Sequence, residues 1–172
     1  MRPSRHGTPW WRVSRRPGPP GRTAGHRPVH GGGHCGLALY QLARYLDFDL
    51  AVFDPRPDYA DPAAFPGAQV ASGDFDQLRP LLATERALYL VLLNRDFGSD
   101  VASLRVIAGH RFAFLGMMGS RRRIAQVLGA LTSEEAQSLA ALQAPVGLPI
   151  GAQTPHEIAV SVLAHVLQAR AA

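Results

Sequence analysis

A doubly wound α/β fold with a mostly parallel sheet is predicted by three features of this 172-residue sequence. From residue 31 onward, short apolar runs alternate with segments whose apolar residues recur at helical spacing. Two of the runs, "RALYLVLLN" (86–94) and "RFAFLGMMG" (111–119), are apolar at nearly every position, as strands buried on both faces are. The turn "GGGHCG" (31–36) sets Gly31, Gly33 and Gly36 as G-x-G-x-x-G directly before a helical pattern. Strands that alternate with helices join through right-handed crossovers, which gives a parallel sheet with helices on both sides.

The elements follow in order. "GLALYQLARYL" places Leu39, Leu42, Ala43 and Leu46 on one helix face. "FDLAVFD" is a short buried strand closed by Asp54 and the turn "PRPDYADP". "AQVASGD" predicts a brief strand and "FDQLRPLLATE" a short helix started or interrupted by Pro80. After the strand at 86–94, "SDVASLRVIAG" reads as a helix with Ser99 or Asp100 near its N-cap. The strand at 111–119 is followed by the helices "SRRRIAQVLGAL" and "TSEEAQSLAAL", the second opened by Thr132 and Glu135 as a capping box. "QAPVGLPIGAQ" is a loop. The last helix begins at Thr154, with Pro155 in its first position and Glu157 completing a second capping box. Its buried stripe is Ile158, Val162, Leu163 and Val166.

Residues 1–29 read differently. Within residues 1–30 there are seven arginines, six prolines, four glycines and no acid, too little apolar material for a core. This predicts a disordered basic tail over 1–29 and a folded domain over 30–172, whose first strand, expected before Gly31, is weak or missing. The tail is either a natural extension or the product of a misassigned start or shifted frame. The formal charge of +5 belongs to this tail, because residues 31–172 hold 11 arginines against 13 acids. A folded nucleic-acid-binding face is therefore not expected. No apolar run is long enough to span a membrane, and no apolar leader follows the early arginines. The lone Cys35 excludes an internal disulfide and a cysteine-built zinc site, and a cytoplasmic setting is the default.

Three segments carry candidate site residues. In the glycine turn, the backbone around Gly31, Gly32, Gly33 and Gly36 can approach a phosphate that faces a helix N-terminus, with His34 beside it. Asp54 lies 21 residues after Gly33 at the end of the next strand, where a carboxylate meets a ribose hydroxyl. The alternative is a tight strand–helix turn and a surface aspartate that bind nothing. Cys35 at the helix start is either a reactive thiolate or a small residue filling the turn. In "GMMGSRRR" (116–123), three arginines in a first helical turn oppose the helix dipole unless an anion sits there. Gly119, Ser120, Arg121 and Arg122 would hold it, or the arginines splay into solvent. In "LLNRDFGSD" (92–100), the polar residues Asn94, Arg95, Asp96 and Asp100 would line the same crevice, or Asp100 belongs to a capping and turn segment. The loop "APVGLPIGAQTP" is constrained enough to wrap over that crevice. No serine–histidine–acid elbow, phosphate-loop lysine motif or metal-ligand spacing is present, so no catalytic residue and no metal ligand is assigned.

The segments "GGGHCGLAL", "VFDPRPDYA", "LGMMGSRRR" and "APVGLPIGAQTPHEIAVSVLAHV" resemble, over about 30–170, the Rossmann-like C-terminal domain of the XdhC/CoxI family, the xanthine dehydrogenase accessory proteins. The resemblance implies a cofactor-binding chaperone rather than an enzyme. It would bind the molybdenum cofactor (molybdopterin), support its sulfuration by a cysteine desulfurase, and hand it to apo-xanthine dehydrogenase of purine catabolism. Whether the family member is a homodimer stays open. Three departures stand out: residues 1–30 lack the family's Cys-Gly-Gly motif, the first strand is unrecognisable, and Phe97 stands where the family typically has histidine, although Asp100 matches. The competing readings are an NAD(P)-dependent oxidoreductase using Asp54, and a truncated remnant that binds nothing.

Overall fold

The computed structural model describes residues 33–171 throughout, and before them the backbone of Trp10–Ser14 and His26–Arg27. The strands are β1 (Trp10–Ser14), β2 (His26–Arg27), β3 (Asp49–Asp54), β4 (Gln69–Ser72), β5 (Ala87–Leu92), β6 (Phe114–Met117) and β7 (Leu142–Gln143). The helices are α1 (His34–Ala43), α2 (Leu78–Leu82), α3 (Phe97–Ile107), α4 (Arg121–Gly129), α5 (Ser133–Ser138) and α6 (Pro155–Ala171). The sheet runs β4-β3-β1-β5-β6-β7, with β2 paired to β5.

Parallel pairing joins β3 to β4, β5 to β6, β6 to β7 and β2 to β5. The exception is β1, antiparallel to both β3 and β5, with Trp10 opposite Phe53 and Leu92. Because β1 opposes both neighbours, β3 and β5 point the same way. The carboxyl ends of the parallel strands therefore share one edge of the sheet.

The parallel strand expected before the glycines is reduced to the two residues of β2 against Ala87 and Leu88. Between β3 and β5 the structure places "WWRVS" instead. Buried strands cannot leave their backbone donors and acceptors unpaired. This stretch combines aromatic and β-branched residues without proline or glycine, which suits a strand. The rest of the expected tail, and Gly31 and Gly32 of the glycine turn, lie outside the described residues.

The core lies on both sides of β3 and β5. Val52, Phe53, Leu90, Val91, Leu92 and Met117 are fully buried, which explains their unbroken apolar runs. Leu104 and Ile107 of α3 and Val127 of α4 are fully buried too, as are Ala43 of α1 and Val166 of α6. The helices α1 and α6 pack on each other, while α3 packs on α2 and α4. His156 of α6 reaches Gln41 of α1 at 3.0 Å.

Caps fix where helices begin. Thr132 and Glu135 exchange the capping-box bonds that open α5. At α6, Glu157 accepts from the N–H groups of Gln153 and Thr154 at 2.8 and 2.9 Å, and Thr154 accepts from Glu157 N–H. These bonds hold the Glu157 carboxyl below its usual range. The cap of α3 is Asp96, one turn earlier than Ser99 or Asp100: its carboxylate takes the Ser99 N–H at 2.8 Å and the Ser99 hydroxyl at 2.9 Å. Asp100 is thereby left inside the first turn, facing the core rather than solvent.

Candidate functional site

Four structures meet at the carboxyl edge of the sheet: the end of β3, the end of β5, the β6–α4 turn and the start of α1. Gly33 is the N-cap of α1 and makes no side-chain cap bond, having no side chain to make it. Gly36 is buried in the first turn, as a glycine chosen for close packing should be, and His34 is exposed. Cys35 is buried and belongs to the core cluster.

Asp54 ends β3 and is fully buried. Its two carboxylate oxygens take the Arg56 guanidinium at 3.0 and 3.1 Å, and one also takes the Arg56 N–H at 3.0 Å. The Arg56 guanidinium lies 3.7 Å above the Tyr59 ring. Burial raises the Asp54 carboxyl above its usual range, with Arg56 pulling the other way. A ribose hydroxyl would have to displace Arg56 to reach this carboxylate.

Beneath the β6–α4 turn sits a buried polar cluster. Asn94, Asp100 and Ser103 are all fully buried. The Asn94 amide donates to Ser103 Oγ at 3.3 Å, and the Ser103 hydroxyl donates to the Ser99 carbonyl. Arg123 turns inward from α4: its Nη2 donates to the Asn94 and Met118 carbonyls at 2.6 Å each, and its Nε lies 3.2 Å from Asp100 Oδ2. One guanidinium thus clamps the ends of β5 and β6 and faces α3. A methyl group on Gly119 would stand 3.1 Å from that guanidinium, so the glycine lets Arg123 lie against the turn. Arg123 Nε and Asp100 Oδ2 form an ion pair without hydrogen-bond geometry, and Asn94 Oδ1 has no hydrogen-bond partner. Burial pushes the Asp100 carboxyl up to about 6; Arg123 and Asn94 oppose the rise and Asp96 adds to it.

Above this cluster, the three arginines part company. Ser120 caps α4 by accepting from Arg123 N–H at 3.2 Å, while Arg121 and Arg122 stand exposed with no ion-pair partner among the described residues. The backbone N–H groups of a first helical turn have no intrahelical partner, so an anion above this turn would meet backbone donors and two free guanidinium groups. The conflict between these charges and the helix dipole is relieved by occupancy.

The loop 144–154 runs alongside and is tied at both ends. Val146 N–H donates to the Met117 carbonyl at 2.8 Å, Gly147 N–H to His165 Nδ1 at 3.1 Å, and Leu148 N–H to the Ser161 carbonyl at 3.2 Å. The Ala144–Pro145 bond is cis, and Gly147 takes a φ of 108° against Ser161. A side chain at Gly116 would strike Val146 at 2.5 Å. The loop is built against β6 and α6.

Of the expected residues, the structure brings Asn94, Gly119, Ser120, Arg121 and Arg122 together at the ends of β5 and β6. Asn94 acts there through its backbone carbonyl and a buried amide. Gly33 and Gly36 open α1 at the same edge, and Asp54 is paired. Sequence reasoning did not single out Arg123 from its neighbours or foresee the depth of Asp100. The signal for both was the helical spacing that puts Arg123 next to buried Ile124 and Val127, and Asp100 next to Val101 and Leu104. Among the described residues no group of three or more His, Cys, Asp or Glu side chains could hold a metal ion, and no helix is long and apolar enough to cross a membrane.

Comparison with known proteins identifies the family. The family model described as the XdhC Rossmann domain matches residues 28–166, and the chain belongs to that family. It is 34% identical over 157 residues to the uncharacterized protein YqeB of Escherichia coli K12, covering 81% of this chain and 26% of the relative. It is 28% identical over 143 residues to a probable xanthine dehydrogenase subunit of Bacillus subtilis 168, covering 83% of this chain and 42% of that one. A crystal structure titled as a xanthine dehydrogenase from Bacillus halodurans shares the fold with a TM-score of 0.66 at 19% identity, over 95% of this chain and 60% of that chain. The chain thus spans about a quarter to under a half of the curated relatives it matches.

Proposed function

We propose, from its place in the XdhC Rossmann family, that this protein is a maturation factor for a molybdenum hydroxylase. It binds the molybdenum cofactor and presents it for sulfuration and insertion. Its partners are then a cysteine desulfurase and apo-xanthine dehydrogenase. The observation that carries the reading is the first turn of α4, where exposed Arg121 and Arg122 flank the Ser120 cap at the carboxyl edge of the sheet. Ligands of open α/β sheets bind at this edge. The residues present suit the phosphate end of such a cofactor, and the pterin and metal end supply the redox chemistry of the enzyme that receives it. Arg121 and Arg122 bind and orient the phosphate, and Gly33 and Gly36 admit a second anionic group at α1.

The test follows thermal stability with NAD(H) and with molybdenum cofactor separately. A ligand at 100 times its dissociation constant adds about 2.7 kcal/mol of stability, well within detection. Stabilisation by the molybdenum cofactor, weakened about tenfold or more in affinity by Arg121→Ala with Arg122→Ala, supports the reading. Both side chains are exposed, so the double variant keeps the wild-type melting temperature without ligand. Stabilisation by NAD(H) alone points to an NAD(P)-dependent oxidoreductase and overturns it. Stabilisation by neither, with a non-cooperative melt, marks a remnant.

A further inference from the structure

We infer that the loop 144–154 is an acid-released strap: neutral His165 holds it on α6 at Gly147, and a proton on His165 undoes that hold. Ser161 and His165 stand four residues apart on one face of α6, and both bond to this loop. The Ser161 carbonyl takes the Leu148 N–H at 3.2 Å, and the Ser161 hydroxyl donates to the Leu148 carbonyl at 2.7 Å. The neighbouring bond differs in kind, because Gly147 N–H donates to an imidazole nitrogen, His165 Nδ1, at 3.1 Å. An imidazole accepts a hydrogen bond only while it is neutral; protonated, both of its nitrogens donate. Accepting at Nδ1 puts the neutral ring's proton on Nε2. Phe114 of β6 meets the ring edge-on, with centroids 5.1 Å apart, and keeps it in this orientation.

Protonation sets a second N–H against Gly147 N–H, donor to donor, and the bond is lost. The ring is half-buried and lines a cavity of about 380 Å³ with Phe112, Phe114, Gln143 and Gln168, so a proton can reach it in the folded chain. The loop, β6 and β7 carry no titratable side chain. On α6 itself Glu157 is held in the cap, His156 contacts Gln41, and Arg170 lies 5.6 Å over the Phe48 ring. His34, Cys35 and Tyr40 of α1, packed on α6, and His110 and Arg111 before β6 complete the neighbouring groups. None of these charges shifts His165: burial alone holds its ring below the ordinary value of 6.5. A ring so lowered binds its proton less firmly when folded, so the strap is whole above 6.5 and is lost as pH falls through the lower, folded value. Val146 N–H is tied to the Met117 carbonyl, and the adjacent Met118 carbonyl takes Arg123. The loosened segment therefore adjoins the carboxyl edge of the sheet, whichever ligand that edge takes.

Nuclear magnetic resonance of the full chain follows the His165 ring and the Gly147 amide through one pH titration. At neutral pH the ring nitrogens are expected to show the proton on Nε2. As pH falls below 6.5, hydrogen-exchange protection at Gly147, corrected for intrinsic exchange, should drop about tenfold with the same midpoint as the ring. Ile158 N–H, bonded to the Thr154 carbonyl on the same helix, should keep its protection throughout. His165→Asn keeps an acceptor at the Nδ1 position and cannot titrate, so Gly147 shows no such drop; His165→Leu leaves Gly147 unprotected at every pH. The wild-type titration decides even where a variant fails to fold. A proton on Nδ1 at neutral pH overturns the proposal. So does a ring that stays neutral down to acid unfolding, a Gly147 amide that does not follow the ring, or an equal drop in His165→Asn.

Discussion

Replacing Asp100 with asparagine is expected to stabilise this protein at neutral and alkaline pH, although it removes one partner of an ion pair. The side chain is fully buried, and its carboxyl is raised from 3.8 to about 6, burial outweighing the attraction of Arg123. A carboxyl whose folded pKa is raised binds its proton more tightly when folded. The stability this confers is fully present below the unfolded value and is lost as pH rises through the window from 3.8 to about 6. The gap corresponds to about 3 kcal/mol. Asparagine keeps the shape and has no charge to desolvate, so the variant escapes the loss. Urea denaturation should show Asp100→Asn more stable than wild type by up to about 3 kcal/mol at pH 8 and by about half that at pH 5. With a urea slope of about 1–3 kcal/mol per molar, the midpoint moves by about 1 M or more at pH 8. Asp54 and the other carboxyls are common to both proteins and cancel in the difference. A variant less stable than wild type at pH 8, or a difference independent of pH, would refute the reasoning. It would mean that attraction to Arg123 exceeds the cost of burial and that the carboxyl is ionised throughout.

Gly147→Ala should destabilise by about 1–3 kcal/mol, since Gly147 has a φ of 108° and an added Cβ would lie 2.5 Å from Ser161 Oγ; a thermal melt within a degree of wild type would contradict this. Thr154→Ala removes the hydroxyl that caps α6 and should cost about 0.5–2 kcal/mol by chemical denaturation, while Thr154→Ser recovers most of it.

Much of the fold was legible because local patterns and global structure agree. The apolar runs of β3, β5 and β6 are buried on both faces, and the capping boxes at Thr132 and Thr154 mark helix starts to the residue. The two-residue β7 has no periodicity to detect and exists through its pairing with Leu115 and Gly116. The N-cap of α3 fell at Asp96 because three nearby positions, Asp96, Ser99 and Asp100, offer side chains able to cap. Which one does so depends on where the chain leaves β5.

The sequence by itself determined the alternation of strands and helices, and hence which ends of the strands share an edge. It also marked Gly33 and Gly36 as the glycines of the tight turn before α1, because backbone preference is written locally, whereas the need for glycine at 116, against Val146, is tertiary. Tertiary structure alone decided the pairing of Asp54 with Arg56, the inward turn of Arg123, and the exposure left to Arg121 and Arg122. It also set "WWRVS" between β3 and β5, running against the rest of the sheet. These depend on distances between residues far apart in the chain. A guanidinium meets whichever carbonyl or carboxylate the packing of several elements brings within about 3 Å.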